Sequence, residues 1–443
     1  MLKTIPNNVT EYIENRSHKK WSLECNDVRG IESVIVVPAI CEFENIKKLL
    51  TSLSQNSESE LQKSLVIFVI NNSVSASLEV KKDNKFSVEF LRESIRKNIL
   101  ESGIRIGLID AATEGYELED SIAGVGVARK IGMDAALKVF DYSLPNNKII
   151  ISLDADCSVE QNYLAEIHRF FNRKNASIAI VDFEHPLPEN QLIKLGIFSY
   201  EIFLRHYVAG LLYANSPFAF HTVGSTIICD HEAYIKIGGM NTKKAAEDFY
   251  FLEKLAKQYN VFRITTTKVK PSSRESWRVP FGTGKSMTDY ASGKKDILVN
   301  DPETYLILKE WLTIFNSEIS TSPERLINEA KIIHTELYNF LESRKFRKSW
   351  EKILDNSKTS VQLDYQRINW FDAFETLKLI HHLRDTSFPM MDIETGVEKL
   401  FKLVNYSAKL DTLKSKDSKE VLFAFYLSEL KTLENKLYQT HYS

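Results

Sequence analysis

The stretch IIISLDADC, residues 149–157, carries the two features on which the fold prediction depends. It begins with β-branched apolar residues, and a short run of this kind is typical of a strand buried within a parallel sheet. It ends with Asp154 and Asp156, which one residue separates. Because ligands of open α/β sheets bind beyond the carboxyl ends of the strands, this stretch predicts an α/β fold with a binding site at that edge.

Similar apolar runs occur on both sides of this stretch, and helix-like segments separate them. The full set of predicted strands comprises residues 33–38, 65–71, 104–110, 149–154, 177–183, 225–230 and 261–267. The segments between them carry apolar residues at intervals of three or four, as amphipathic helices do. The alternation over residues 31–270 therefore predicts a mostly parallel sheet flanked by helices.

After about residue 300 the strand pattern stops and successive amphipathic helices are predicted. At about 150 residues per domain, a chain of 443 residues should form two or three domains. We expect an N-terminal extension over residues 1–30, an α/β domain over 31–300 and an all-helical C-terminal domain over 301–443.

The composition is that of an ordinary globular protein, with 43% hydrophobic and 26% charged residues. The 57 basic residues nearly balance the 59 acidic ones, so no global charge favours binding to nucleic acid or to an anionic membrane surface. No CxxC pair occurs among the four cysteines, which argues against a structural zinc site and against a dense disulfide framework. A reducing compartment fits best, and we expect a cytoplasmic protein.

Residues 1–20 lack the apolar core of a signal peptide, and no stretch reaches the roughly 18 uninterrupted apolar residues of a membrane span. The nearest candidate, residues 192–213, is interrupted by Lys194, Glu201, Arg205 and His206. Contact of this segment with a membrane surface is the weaker alternative.

Asp154 and Asp156 offer oxygen ligands, which Mg²⁺ and Mn²⁺ prefer and commonly share with substrate phosphates. An acid-x-acid pair can also form a turn or cap a helix. The buried strand that precedes this pair favours the metal site.

A second acidic pair, Glu247 and Asp248, comes where a helix is predicted to begin. Acidic residues in a first helical turn stabilise the helix through its dipole, so capping is one interpretation. The other is that the flexible loop before the pair, residues 238–246, brings a carboxylate to the mouth of the site, where a general base belongs.

The segment GVGVARKIGMDAAL, residues 124–137, opens a helix with small residues and contains Arg129. A guanidinium group and a helix N-terminus can both bind a phosphate. A dinucleotide-binding fingerprint needs glycine at position 129, and a P-loop ending in GTGKS, residues 282–286, needs glycine where Val279 stands. Dinucleotide binding and ATP hydrolysis are therefore disfavoured.

Five segments occur in an order that resembles the inverting glycosyltransferases of family 2, which have the GT-A fold. They are VVPAICEFENIKKLL at 36–50, VINNS at 69–73, GVGVARKIGMDAAL at 124–137, SLDADC at 152–157, and the stretch from GSTIICD at 224–230 through GGM at 238–240 to EDFYFLEKL at 247–255. The resemblance covers roughly residues 31–270 and leaves out the C-terminal helices.

For the donor, the resemblance implies a nucleoside-diphosphate sugar linked to UDP or GDP. Pro38, Ala39 and Glu42 would line the nucleotide pocket, and Asn71 and Asn72 would flank the base. These two asparagines depart from the acidic pair that is usual in the family.

For the chemistry, the resemblance implies that Arg129 approaches the nucleotide or the diphosphate. Asp154, with Ala155 beside it, would contact the ribose or the metal, and Asp156 would coordinate the Mn²⁺ or Mg²⁺ ion that bridges the diphosphate. Asp248, preceded by Glu247, matches the catalytic base. Lys130 departs from the asparagine that is usual after the arginine.

The loop of residues 271–287 concentrates Arg274, Arg278 and Lys285 with Trp277 and glycines. It could close over the diphosphate, since guanidinium groups bind phosphate oxygens and a lid excludes water. The alternative is an exposed basic loop.

An acceptor pocket is the least determined part of the prediction. His221 and the small residues Gly224 and Ser225 are candidates, because glycine permits close approach. Glu201, Arg205 and Tyr207 could shape the same pocket, and packing explains them equally well.

Two other function classes stay open. A nucleotidyltransferase also holds magnesium with paired acids on an α/β sheet, but it would usually show a glycine-rich, arginine-bearing loop where this chain has PAICEFEN, residues 38–45. A non-catalytic sugar-nucleotide-binding protein is the third class, and the two acidic pairs argue against it. The acceptor hydroxyl and the oligomeric state are not predicted.

Overall fold

A computed structural model describes residues 5–26, 28–97, 103–174, 176–275, 282–317, 322–408 and 418–441. The chain divides into two units. The first contains the described residues up to Pro186 and Thr222–Ser272, and the second contains Leu187–His221, residues 273–275 and the described residues from Gly282 onward. In this division, the described residues before 31 group with the sheet, and residues 187–221 group with the C-terminal helices. The expected domain bounds at residues 30 and 300 stay a prediction.

The first unit is built on a sheet whose described strands number nine. In chain order they are β1 (Leu23–Cys25), β2 (Ser33–Ala39), β3 (Ser64–Asn71), β4 (Arg105–Ala111), β5 (Ile149–Ser152), β6 (Ser158–Val159), β7 (Ile178–Phe183), β8 (Ile227–Asp230) and β9 (Phe262–Lys270). Their order across the sheet is β1-β4-β3-β2-β5-β8-β7-β9-β6. All seven predicted strands are confirmed.

The sheet is mixed. Its block β4-β3-β2-β5 is parallel, as is the pair β7-β9, in agreement with the sequence pattern. β8 is antiparallel to both of its neighbours, and β1 and β6 join the sheet as short antiparallel strands. The carboxyl ends of β2, β3, β4 and β5 therefore lie along one edge, as the prediction requires.

The helices of the first unit are α1 (Asn7–Arg16), α2 (Phe43–Leu53), α3 (Glu58–Leu61), α4 (Leu78–Lys97), α5 (Val125–Val139), α6 (Tyr163–Arg173), α8 (His231–Lys236) and α9 (Glu247–Ala256). Strands β2 and β3 are buried along their whole length. Helix α5 packs on them closely because Gly132 has no side chain: a Cβ there would lie 2.9 Å from Val69 Cγ2 and would overlap Val36.

The second unit is helical in its described residues, as predicted for the C-terminal part of the chain. Its helices are α7 (Gln191–Tyr213), α10 (Thr283–Ala291), α11 (Glu303–Phe315), α12 (Pro323–Ile333), α13 (Thr335–Ser343), α14 (Phe346–Asn356), α15 (Ser360–Trp370), α16 (Ala373–Thr386), α17 (Ile393–Leu403) and α18 (Lys419–His441). Aromatic residues fill its centre, and the rings of Trp311 and Phe315 stack with centroids 4.9 Å apart. Within the described ranges, no helix is both long enough and apolar enough to cross a bilayer.

Candidate active site

The carboxyl end of β5 carries the first acidic pair. The strand ends at Ser152, and the chain then turns, with the backbone N–H of Cys157 donating to the carbonyl oxygen of Asp154 at 3.1 Å. Ala155 is buried, whereas Asp154 and Asp156 are partly exposed. The Asp154 side chain is 37% exposed. Two carboxylates therefore reach solvent at the edge of the sheet where a ligand is expected.

Arg129 on α5 links this pair to the second one. Its side chain is only 4% exposed. Nη2 donates to Asp154 Oδ1 at 2.5 Å and Nε donates to Glu247 Oε1 at 3.2 Å. Nη1 donates to the carbonyl oxygen of Gly224 at 3.3 Å and to the hydroxyl of Ser152. Residues from three separate parts of the chain thus meet around the guanidinium group of Arg129.

The carboxylates around Arg129 stabilise its positive charge. Burial by itself would lower the pKa of Arg129, but the negative charges of Asp154 and Glu247 outweigh burial, and the pKa is raised above its ordinary value. The prediction that Arg129 approaches a nucleotide or diphosphate is untested, and the contacts described here are with protein groups.

Asp248 is the perturbed acid of the site. Burial, and then the negative charge of Glu247, raise the pKa of Asp248 from its ordinary value of 3.8 to about 7, although Arg129 acts in the opposite direction. The backbone N–H of Phe249 donates to its Oδ1 at 2.8 Å. A carboxyl group with a pKa near neutrality can accept a proton from a substrate at that pH, because the best catalytic pKa lies near the operating pH.

Gly224 makes room for these side chains. A Cβ at this position would lie 2.9 Å from Arg129 Nη2 and 3.1 Å from Asp248 Oδ2. A close approach of the acceptor to Gly224 stays a prediction. The structure shows a close approach by Arg129 and Asp248, so glycine is needed for the assembly of the site itself.

The segment that carries the second acidic pair has an unusual backbone. Ala246, directly before α9, has φ +56°, a left-handed conformation that residues with a side chain rarely adopt. The Asn241 side-chain amide donates to the carbonyl oxygen of Glu247 at 2.7 Å. The segment also lies close to α5: a Cβ at Gly126 would be 3.0 Å from the Asn241 carbonyl oxygen and would overlap that of Lys243.

The predicted nucleotide pocket is held together by a residue that the sequence analysis missed. Asn84, buried on α4, accepts a hydrogen bond from the backbone N–H of Cys41 at 2.9 Å. Its amide donates to the carbonyl oxygen of Asn71 at 3.0 Å and to Asn72 Oδ1 at 2.8 Å. It therefore joins the loop after β2 to the end of β3. The helical spacing could have indicated that Asn84 is buried, because it stands four residues from each of two apolar residues on the buried face of α4, Val80 and Val88.

The other predicted pocket residues lie at the same two strand ends. Pro38 and Ala39 end β2, and the Asn71 amide donates to the carbonyl oxygen of Ala39 at 3.2 Å. Glu42 is buried at the start of α2 and accepts from the amide of Asn45 at 2.5 Å. The contact of these residues with a nucleotide stays a prediction.

The predicted lid is described only in part. Arg274 lies in residues 273–275, which group with the helical unit. Arg278 and Trp277 lie outside the described residues. Their role in closing over a diphosphate stays a prediction.

Three residues proposed for an acceptor pocket belong to a buried ion-pair network of the helical unit. Arg205 Nη1 donates to Glu434 Oε2 at 3.0 Å and Nε donates to Glu201 Oε1 at 3.2 Å. His221 Nε2 lies 2.8 Å from Glu434 Oε1. Arg205 and Glu201 are almost completely inaccessible. These contacts join α7 to α18, so packing accounts for Glu201, Arg205 and His221.

The carboxylates fit a divalent cation that shares its coordination with a substrate. Among the described residues, no group of three or more histidine, cysteine or acidic side chains is arranged to hold a metal ion. Mg²⁺ is commonly bound by one or two carboxylates together with substrate phosphates and water. Asp154 and Asp156 match that pattern, with one oxygen of Asp154 already bonded to Arg129.

Comparison with known proteins gives a weak likeness in structure only. The chain matches no protein-family model and no curated protein. Among solved structures, Staphylococcus aureus TarS 1–349 in complex with UDP-GlcNAc is 14% identical, with a TM-score of 0.35 over 93% of this chain and 92% of that one. The mannosyltransferase PcManGT from Pyrobaculum calidifontis, in complex with GDP-Man and Mn²⁺, is 11% identical, with a TM-score of 0.35 over 96% and 91%. At these values the likeness says nothing about the function of this chain.

Proposed function

We propose that this protein is a metal-dependent inverting glycosyltransferase of the GT-A type. It would transfer a sugar, of the hexose class, from a UDP- or GDP-linked donor to an acceptor hydroxyl. The observation that carries the proposal is the meeting of Asp154, Glu247 and Asp248 around the buried Arg129, where the pKa of Asp248 is raised to about 7.

In this proposal the residues at the strand ends bind the donor. Pro38, Ala39, Glu42, Asn71 and Asn72 border the pocket for the nucleotide. Asp156, with Asp154, would hold Mn²⁺ or Mg²⁺, which neutralises the negative charge that develops on a departing diphosphate. Arg274 and Arg278 would bind phosphate oxygens as part of a lid.

Asp248 is the general base of the proposed reaction. The acceptor hydroxyl loses its proton to the Asp248 carboxylate while its oxygen forms a bond to the anomeric carbon. The bond from that carbon to the diphosphate oxygen breaks, and the electron pair leaves with the nucleoside diphosphate. Attack from the face opposite the leaving group inverts the anomeric centre.

Arg129 and Glu247 act as positioning residues in this scheme. Arg129 bonds to one carboxylate of each acidic pair. It therefore holds the proposed metal ligands at a set distance from the proposed general base. The charge of Glu247 raises the pKa of its neighbour, while Arg129 limits that rise. The balance keeps Asp248 ionised at slightly alkaline pH yet basic enough to accept a proton.

The proposal is tested by incubating the purified protein with a panel of UDP- and GDP-sugars, Mn²⁺ and simple acceptors. Release of nucleoside diphosphate is expected with at least one donor. Asp248→Asn should lower that rate by about 10²- to 10⁴-fold and leave donor binding intact. Asp156→Asn should abolish Mn²⁺-dependent donor binding, measured by calorimetry. Glu89→Gln, an exposed carboxylate on α4, is the matched control and should change neither.

Each alternative gives a different result in the same experiment. Release of pyrophosphate from a nucleoside triphosphate and a sugar phosphate would identify a nucleotidyltransferase. Donor binding without release of either product would identify a non-catalytic binding protein. Full turnover by Asp248→Asn would remove the proposed base from the mechanism.

A further inference from the structure

A buried polar cluster lies beside the candidate site and has no part in the chemistry proposed above. Lys130 and Asp134 stand one turn apart on α5, and Lys130 Nζ donates to Asp134 Oδ2 at 2.9 Å. Tyr12 from α1 and Tyr234 from α8 each donate a hydroxyl hydrogen bond to Asp134 Oδ1, at 3.0 Å and 2.7 Å. Lys130 also donates to the Tyr12 hydroxyl at 3.1 Å. The cluster thus ties the N-terminal helix to α5 and α8.

The Tyr12 hydroxyl reaches the turn from which the segment of the second acidic pair departs. Gly238 and Gly239 both have left-handed backbones, with φ +79° and +78°. A Cβ on Gly239 would overlap Tyr12 Oη and lie 3.0 Å from Tyr12 Cζ. The backbone N–H of Gly239 donates to the carbonyl oxygen of Tyr234 at 2.9 Å. Tyr12 therefore fills the space that a side chain at position 239 would need.

The same cluster supports the far end of the segment. The Tyr234 ring packs edge-on against the Phe251 ring, with centroids 6.1 Å apart. Phe251 stands one helical turn after Glu247 on α9. Between these two ends, residues 241–247 press against α5 at Gly126. Residues 238–248, named here the acidic segment, are thus held at the start, the middle and the end.

The acidic segment needs these contacts because its backbone is strained at Ala246. The left-handed conformation of Ala246 persists only where surrounding contacts impose it. If the start of the segment moved, Ala246 could return to a common conformation and Asp248 would leave its position beside Gly224. The fixed position of the proposed base therefore depends on contacts made outside the site.

We propose that Tyr12 is a positioning residue for the acidic segment: its hydroxyl, held by Lys130 and Asp134, fixes the Gly238–Gly239 turn and thereby the place of Asp248. The inference rests on the proposed function for its catalytic consequence. It assigns a role to the N-terminal extension, which the sequence analysis left without one.

Tyr12→Phe is a mild test because it leaves no charge unpaired. Lys130 keeps Asp134, and Asp134 keeps the Tyr234 hydroxyl. Tyr142→Phe is the matched control, since its hydroxyl donates to the carbonyl oxygen of Leu137 near the other end of α5, at 2.9 Å. Both variants lose tyrosine hydroxyl bonding to the same helix, two bonds for Tyr12 and one for Tyr142, and only Tyr12 adjoins the acidic segment.

The first measurement is steady-state turnover with the donor identified by the panel above. Tyr12→Phe should lower kcat about 10-fold, because a small displacement of a reacting group has a large effect on rate, while the KM for the donor stays within about two-fold. Tyr142→Phe should change neither constant. Equal effects of the two variants on kcat would overturn the inference, since a general loss of stability would then explain both.

The second measurement does not depend on activity. Hydrogen–deuterium exchange of peptides spanning residues 238–249 should become faster in Tyr12→Phe and stay unchanged in Tyr142→Phe. Unchanged exchange in Tyr12→Phe overturns the positioning role even if turnover falls. Faster exchange in a protein that turns over no donor would support the positioning of the segment while the proposed function fails.

A third measurement couples the two partners directly. Gly239→Ala should accelerate exchange of the acidic segment strongly in the wild-type background, where the new methyl group meets the Tyr12 hydroxyl. The left-handed backbone at position 239 strains an alanine in both backgrounds, but in the Tyr12→Phe background the clash with the hydroxyl is absent. The same change should therefore have a smaller effect there, because contacting residues are not additive. Equal effects in both backgrounds would contradict the contact on which the inference depends.

Discussion

Asp248→Asn should stabilise the protein above neutral pH while it removes the proposed base. The pKa of Asp248 is 3.8 ordinarily and about 7 in the folded protein, where burial and the charge of Glu247 raise it. Between these pH values the folded state keeps a proton that the unfolded chain releases, so the free energy of unfolding falls as pH rises through this window. One pKa unit corresponds to about 1.4 kcal/mol, which gives an upper limit of about 4 kcal/mol at pH 8.

An asparagine at position 248 carries no charge, so ionisation does not lower the free energy of unfolding of the variant. Urea unfolding of both proteins should therefore show Asp248→Asn more stable by up to about 2 kcal/mol at pH 5 and about 4 kcal/mol at pH 8. Glu89→Gln on the exposed face of α4 is the control, and its stability should follow that of the wild type at both pH values. A stability gap that stays constant between pH 5 and pH 8 would refute the raised pKa, and with it the electrostatic account of the site.

Two further predictions test separate parts of the first unit. Gly224→Ala should lower turnover roughly 10-fold, because its methyl group would displace the side chains of Arg129 and Asp248. Turnover of the variant at the wild-type rate would show that the site tolerates a displaced base. Glu60→Gln should destabilise the protein at pH 7, and the destabilisation should be smaller at pH 3. The hydrogen bond from His168 holds the pKa of Glu60 below its ordinary value of 4.5. The ionised carboxylate therefore stabilises the fold above pH 4.5, and this stabilisation is lost as the pH falls through the lowered pKa. Equal destabilisation at both pH values, measured by urea unfolding, would contradict this account.

The strands were predictable because each is an apolar β-branched run whose burial needs no knowledge of its neighbours. β2 and β3 are completely buried, and both stand out in the sequence. The direction of β8 was not predictable, because its antiparallel pairing with β5 and β7 depends on where the chain re-enters the sheet. The assignment of α7 to the helical unit has the same cause: its partners, such as Glu434 for Arg205, lie more than two hundred residues away in sequence.

The residue types of the candidate site were predictable, and their partners were not. Charge and position mark Arg129 as an anion-binding residue, but its bond to Glu247 joins residues 118 positions apart. Asn84 and Tyr12 were missed for a related reason. Each is a polar residue on the buried face of an ordinary helix, and only the folded structure shows the backbone groups that it holds.

The two interpretations of Glu247 and Asp248, helix cap or chemistry, make opposite electrostatic predictions. A capping carboxylate accepts hydrogen bonds from the free amides of the first turn, and its pKa falls. Here the residue at the cap position is Ala246, which makes no side-chain cap. The Glu247 carboxylate accepts a hydrogen bond from Arg129 instead. Asp248 accepts from the amide of Phe249, yet its pKa rises. An aspartate placed where its charge costs stability is explained by the proposed reaction, in which that same raised pKa lets Asp248 accept a proton.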